Sequence, residues 1–159
     1  MINTVSVPTP WVVGPVSRTD FVRYQGASGD MNPIHHDQVF AEAAGYPSPF
    51  SVGMFQAGLL ATFATDWLGA ENIRAIRVRF LEQVWPDDTL TCSALVERTY
   101  ADDEGDKIDV ELACTRQTGG LAVAEISTRS TSRSPAMRRA SWMLTIPMGS
   151  FSGPFRRTS

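Results

Sequence analysis

Asp30 and His35 stand five residues apart, with an Asn32-Pro33 pair between them. The proline fixes its own φ and drives the residue before it out of the helical region, so the chain bends sharply between the carboxylate and the imidazole. Such a bend can make the two side chains converge. A carboxylate beside an imidazole holds the ring in one tautomer, and the pair is suited to taking a proton from water and returning one to a substrate. A glycine-led apolar stretch, Ser51-Val-Gly-Met-Phe-Gln-Ala-Gly58, follows.

The elements around this pair can be read from spacing. Trp11-Val-Val13 is expected as a first short strand. Ser17 to Tyr24 is expected as a short helix, with Ser17 or Thr19 as N-cap, Asp20 in the first turn, and Gly26 and Gly29 ending it. His36 to Ala44 reads as a second short helix closed by Gly45. From Ser51 the pattern is apolar almost all round, through Met54, Phe55, Ala57, Leu59, Leu60, Phe63, Ala64, Trp67 and Leu68, with Gly69 as the stop. Such a helix is buried on most sides.

Strands are expected after it. Ile73 to Phe80 alternates Ile76, Val78 and Phe80 with Arg77 and Arg79. Thr89 to Val96 and Lys107 to Thr115 flank an acidic turn at Asp102–Asp106, and Leu121 to Thr128 follows Gly119-Gly120. One long buried helix followed by strands, without alternating strand and helix units, argues for α+β rather than a doubly wound sheet.

The chain has 159 residues, 43% of them apolar, which is the size and composition of one compact domain. No apolar run approaches the ~20 residues of a membrane span. The N-terminus lacks the basic-then-apolar layout of a secretion signal, so a cytoplasmic location is expected. Cys92 and Cys114 have neither motif spacing nor nearby histidines and read as small core residues, with no metal site.

The run Ser28-Gly-Asp-Met-Asn-Pro-Ile-His35, with Ala41 beyond it, resembles the signature of the MaoC-like (R)-specific enoyl-CoA hydratases and dehydratases. The resemblance continues through Gly53-Met54 and Val84-Trp-Pro-Asp-Asp-Thr-Leu90 and spans roughly residues 8 to 130. It implies a hotdog fold, a curved antiparallel β-sheet wrapped around one long central helix, as a single domain over residues 1–132. It also implies an assembly, as a homodimer or a hetero-oligomer with another hotdog subunit.

By the same resemblance, Asp30 and His35 hold and activate a water that adds to a trans-2-enoyl thioester on coenzyme A or an acyl carrier. The product is the (3R)-hydroxyacyl thioester, the reverse reaction is dehydration, and no cofactor or metal is implied. The Gly53 amide, at a helix start where an N–H has no intrahelical partner and the dipole favours negative charge, is the candidate donor to the thioester oxygen. Asn32 shapes the turn, with its amide a candidate substrate contact. Ser51 is a candidate thioester contact, or simply a helix cap. Ser28 and Tyr24 are candidate supports of the loop, and His36 reads as a surface or structural histidine.

One departure stands out. Many relatives carry Ala-His-Gly-Met at the helix start, whereas this chain has Ser51-Val52-Gly53-Met54. A non-catalytic or partner-dependent hotdog subunit is therefore the competing expectation, with a thioesterase third. Residues 133–159 form a basic tail, since no Asp or Glu follows Glu125. That tail is expected to be a disordered extension rather than a contact for nucleic acid, an acidic carrier or coenzyme A phosphates. No nucleic-acid or membrane partner is expected.

Overall fold

The computed structural model describes residues 6–103, 105–124 and 128–132. The expected disordered tail lies outside the described residues. Strand β1, Trp11–Val13, leads into helix α1, Arg18–Ser28. A capping box starts α1. The Asp20 N–H donates to Ser17 Oγ at 3.2 Å, and the Ser17 N–H donates to the Asp20 carboxylate at 2.8 Å. The helix runs through Gly26, one turn beyond the expected end, because an interior glycine costs only about 1 kcal/mol. It stops at Gly29, which takes the left-handed conformation, φ +77°, and closes the last turn on the Gln25 carbonyl.

A 3-10 turn at Pro33–His35 and helix α2, Gln38–Ala43, follow. Helix α2 is shorter than expected because Asp37 caps it, accepting from the Phe40 N–H at 3.0 Å. Helix α3 is Gly53–Leu68. Phe55, Leu60, Phe63 and Ala64 on α3 meet Phe21 of α1 and Leu90, Cys92, Val110, Leu112, Cys114 and Ala122 in one core. Burying this many large apolar side chains, each worth about 1.5–3 kcal/mol, holds the helix on the sheet.

The remaining strands are β2 (Arg79–Phe80), β3 (Leu90–Asp102), β4 (Gly105–Arg116), β5 (Leu121–Ala124) and β6 (Thr128–Ser132). They form a six-stranded sheet in the order β1-β3-β4-β5-β2, with β6 also on β4. All pairings are antiparallel, and β3 and β4 form a long hairpin in which Cys92 faces Cys114. Both cysteines are free and buried in the core, as expected. The hydrogen bond that the Cys92 S–H donates to Cys114, together with burial, holds the Cys92 thiol well above the ordinary cysteine range.

The expected strand from Ile73 to Phe80 is a correction. Only Arg79–Phe80 pairs as strand, with Ile73 in an isolated bridge, and the apolar face of the alternation is covered only in part: Val78 packs against the core, whereas Ile76 and Phe80 are exposed. Alternation marks two faces of an extended segment but supplies no partner for its backbone. Of the expected strand from Leu121 to Thr128, residues 121–124 form β5 and Thr128 opens β6, and residues 125–127 lie outside the described residues.

The turn after β2 is fastened by Asp88, which is 3% exposed. Arg116 donates to its two carboxylate oxygens at 2.7 and 3.1 Å, Gln117 at 2.9 Å and the Trp85 N–H at 2.8 Å. Burial pushes the Asp88 carboxyl up, but these hydrogen bonds and the Arg116 charge outweigh it, so the group sits below the usual carboxylate range. Asp88→Ala is expected to cost about 1–3 kcal/mol, since it leaves the Gln117 amide and the Trp85 N–H without their acceptor and Arg116 with Glu82 alone, at 3.3 Å. A carboxyl lowered on folding stabilises above its unfolded value, roughly pH 4, and that contribution is lost as pH falls through the folded value. Urea unfolding at neutral and acid pH checks both parts; the variant should lack this acid-dependent loss.

Candidate active site

Asp30 lies between the left-handed Gly29 and the Asn-Pro turn. Its Oδ1 accepts the Asn32 N–H at 3.2 Å, which closes the chain into a local loop. The Asp30 N–H donates to Ser28 Oγ at 3.3 Å, so Ser28 supports the loop as expected. Asn32 Oδ1 accepts the Ile34 N–H at 3.1 Å and caps the 3-10 turn that carries His35. The sharp bend is therefore built by two successive side chains folding back on their own backbone.

The bend brings the pair together. His35 Nε2 lies 3.9 Å from Asp30 Oδ2, with the Asp30 side chain 43% exposed and the His35 ring 10%. The tautomer is set elsewhere than the sequence suggests. His35 Nδ1 is 2.8 Å from the Phe50 carbonyl, which can only accept, so Nδ1 carries the proton and Nε2 of the neutral ring keeps its lone pair towards Asp30. Phe50 also meets the His35 ring edge-on at 5.2 Å and continues into Tyr46 and Trp85. Two acceptors, a carboxylate oxygen and an imidazole nitrogen, thus face each other at a spacing too long for a direct hydrogen bond.

Just beyond Phe50 the chain starts α3. The N-cap is Val52 and no side chain caps the helix, so the expectation that Ser51 would cap it is corrected. Ser51 is buried, its N–H donates to the Val84 carbonyl at 2.9 Å, and its hydroxyl turns inward to Gln56. With the Gln56 amide assigned in the orientation that satisfies both of its ends, its nitrogen donates to the Val52 and Gly53 carbonyls at 2.7 and 3.0 Å and its oxygen accepts from Ser51 Oγ at 3.0 Å. Tyr24 supports this helix rather than the loop, donating from its hydroxyl to the Met54 carbonyl at 2.9 Å.

Gly53 is the first residue of α3, where the amide has no intrahelical acceptor. A Cβ built there would lie 3.1 Å from the Phe80 ring. The glycine thus admits an aromatic side chain from the sheet edge across the helix start.

The structure brings together Asp30, His35 and the turn-forming Asn32. It places Gly53 just past the carbonyl that holds His35, and directs the Ser51 hydroxyl into the helix start. Sequence reasoning missed the Phe50 carbonyl, Phe80 and two almost fully buried glutamines, Gln25 and Gln56. Among the described residues, no group of three or more His, Cys, Asp or Glu side chains is placed to hold a metal ion. None of the described helices is long and apolar enough to cross a membrane.

The family model described as "MaoC like domain" matches residues 7–119. The chain is 37% identical over 87 residues to the 3-hydroxyacyl-thioester dehydratase Y of Mycobacterium tuberculosis, covering 52% of this chain and 29% of that protein. It is 36% identical over 66 residues to the enoyl-CoA hydratase ChsH3 of the same organism, covering 40% and 23%. The chain thus spans less than a third of the length of either relative.

Among solved structures, a chain of the ChsH1-ChsH2 complex from Mycobacterium tuberculosis superposes with a TM-score of 0.68 at 25% identity, covering 83% of this chain and all of that one (100%). The (R)-hydratase from A. caviae involved in PHA biosynthesis gives 0.68 at 20%, covering 82% and 99%. These likenesses and the strand order identify the architecture as the α+β hotdog fold.

Proposed function

The chain belongs to the MaoC-like domain family, and we propose that it is a hydro-lyase interconverting trans-2-enoyl and (3R)-3-hydroxyacyl thioesters carried on coenzyme A or an acyl carrier. The observation that carries this reading is the pair of acceptors 3.9 Å apart, Asp30 Oδ2 and a His35 Nε2 whose lone pair is kept available by the Phe50 carbonyl. A water between them can donate one hydrogen to each, which points its remaining lone pairs at a third atom.

That third atom is C3 of the enoyl group. As the water oxygen bonds to C3, its proton passes to the acid/base pair, and the electrons of the C2–C3 double bond move towards the thioester oxygen. The Gly53 N–H, at the positive end of α3, donates to that oxygen. A proton from the pair is then delivered to C2. Water has been added across the double bond with no change of overall oxidation state, and the reverse sequence is dehydration.

The working unit is a pair of hotdog subunits, identical or different. Two features support this: β2 ends the sheet, and Ile76, Phe80 and Leu81 beside it are exposed. A purely structural subunit would have no use for a carboxylate and an imidazole held face to face, which favours a catalytic role over a non-catalytic one.

The test follows loss of ultraviolet absorbance from the conjugated enoyl thioester, with crotonyl-CoA and a longer trans-2-enoyl-CoA, and resolves the enantiomers of the product. Disappearance of the chromophore with formation of the 3R alcohol is expected. A folded protein that leaves both enoyl thioesters and both hydroxyacyl enantiomers unchanged, on coenzyme A and on a carrier, would overturn the reading.

A further inference from the structure

Gln25 lies in the last turn of α1 and is 1% exposed, yet every polar group of its side chain is used. Its amide nitrogen donates to the Asp30 carbonyl at 2.9 Å and to the Asn32 carbonyl at 3.1 Å. Its amide oxygen is 3.1 Å from His36 Nδ1, which must be the donor. The two carbonyls bracket the loop on which the Asp30 carboxylate is displayed. The His36 ring adjoins His35 in sequence but faces the opposite way in function: it holds the amide that holds the loop.

This arrangement has a geometric consequence. The Asp30–His35 spacing depends on two tethers. His35 is fixed through the Phe50 carbonyl to the segment before α3. Asp30 is fixed through Gln25 to α1. Removing the Phe50 tether would release the imidazole; removing Gln25 would release the carboxylate, because the local bonds from Ser28 and Asn32 shape the loop without attaching it to the core. Near-attack geometry tolerates little drift, and a displacement of about 1 Å can cost a hundredfold in rate.

We propose that Gln25, braced by His36, is the positioning residue that sets the Asp30 carboxylate against His35, an inference that rests on the acid/base reading of that pair. The amide supplies no atom to the reaction. It supplies the two donors that an irregular loop, lying between a helix end and a 3-10 turn, does not find in its own backbone.

The test uses Gln25→Leu, which keeps the shape and loses all three bonds, and Gln25→Glu, which keeps the size and loses the two donors. His36→Leu and His36→Asn form a second pair, of which only the asparagine retains an N–H for the Gln25 oxygen. Expected are a fall in kcat of at least about tenfold for both Gln25 variants, with KM within about threefold, and a smaller fall for His36→Leu that His36→Asn partly restores.

A readout independent of turnover accompanies these. The chain has two histidines, so the Cε1–H resonance of His35 is assigned by elimination with a His36 variant. Asp30→Asn should shift that resonance in the parent, and by less than about half as much in the Gln25→Leu or Gln25→Glu background. An undiminished shift in whichever of the two backgrounds folds overturns the proposal, as does a kcat within about threefold of the parent. If the parent itself hydrates no enoyl thioester, the functional reading fails, while the resonance experiment still decides the positioning role.

Discussion

Asp30→Asn and His35→Ala are each expected to lower turnover on an enoyl thioester by on the order of a hundredfold or more, with the fold retained. The asparagine keeps an oxygen for the Asn32 N–H, so the loop closes as before. What it loses is the charge that, in the proposed mechanism, accepts a hydrogen bond from water and balances an imidazolium during proton transfer. The alanine removes Nε2 and releases the Phe50 carbonyl and the edge-on aromatic contact, a local loss beside a core centred on α3 and the sheet. Because neither change removes the helix start with the Gly53 N–H, KM should move far less than kcat. Steady-state rates with the circular dichroism spectrum as a fold control decide it, and undiminished turnover in either variant takes that residue out of the mechanism.

Gly53→Pro carries the second large effect, a loss of about 10²–10³ in kcat, the usual result of deleting one donor to a developing oxyanion. The substitution is unusual in that the backbone accommodates it. Proline is favoured at the first position of a helix, and Val52 at φ −59° and ψ +129° already has the extended conformation that a following proline requires. The change therefore deletes the N–H and leaves α3 in place.

Its Cβ would press on the Phe80 ring, as the 3.1 Å approach shows, so Gly53→Ala is the necessary control. Alanine brings the same Cβ and keeps the N–H. A fall of less than about tenfold for alanine and a further fall for proline would assign the effect to the donor. Equal losses in the two would assign it to crowding by Phe80 and leave the amide without a role.

The loop that brings Asp30 to His35 was legible because its determinants are local. Asp30, Asn32, Pro33 and His35 fold the chain through bonds spanning two or three residues, and such turn chemistry is written in residue types. Helix α3 was legible for a different reason: an apolar surface on nearly all sides has no stable place except a core. What could not be read depends on distant parts of the chain meeting. The partner that fixes the His35 tautomer is a main-chain carbonyl, which every residue possesses. Gln25 and Gln56 are polar, and nothing in a single sequence marks a glutamine as buried until the carbonyls it serves arrive around it.

The misreading of residues 73–80 has the same origin. Alternation reports that one side of a segment is apolar, but it does not say what lies against that side, and in this chain Ile76 and Phe80 are exposed. The helix boundaries moved for reasons of capping: Gly29 rather than Gly26 takes the left-handed conformation, and Asp37 rather than a residue before it starts α2.

The facing pair Cys92 and Cys114, sealed in the core near the open end of the β3–β4 hairpin, makes the chain its own opening gauge. A thiol reagent in native buffer can reach these sulfurs only when the hairpin parts from α3, so the labelling rate under excess reagent measures how often the core opens, without substrate or denaturant. Asp88→Ala should label faster than the parent to the extent that losing the Asp88 contacts speeds opening. Asp30→Asn should label at the parent's rate, which separates a molecule that has come apart from one that has only stopped turning over.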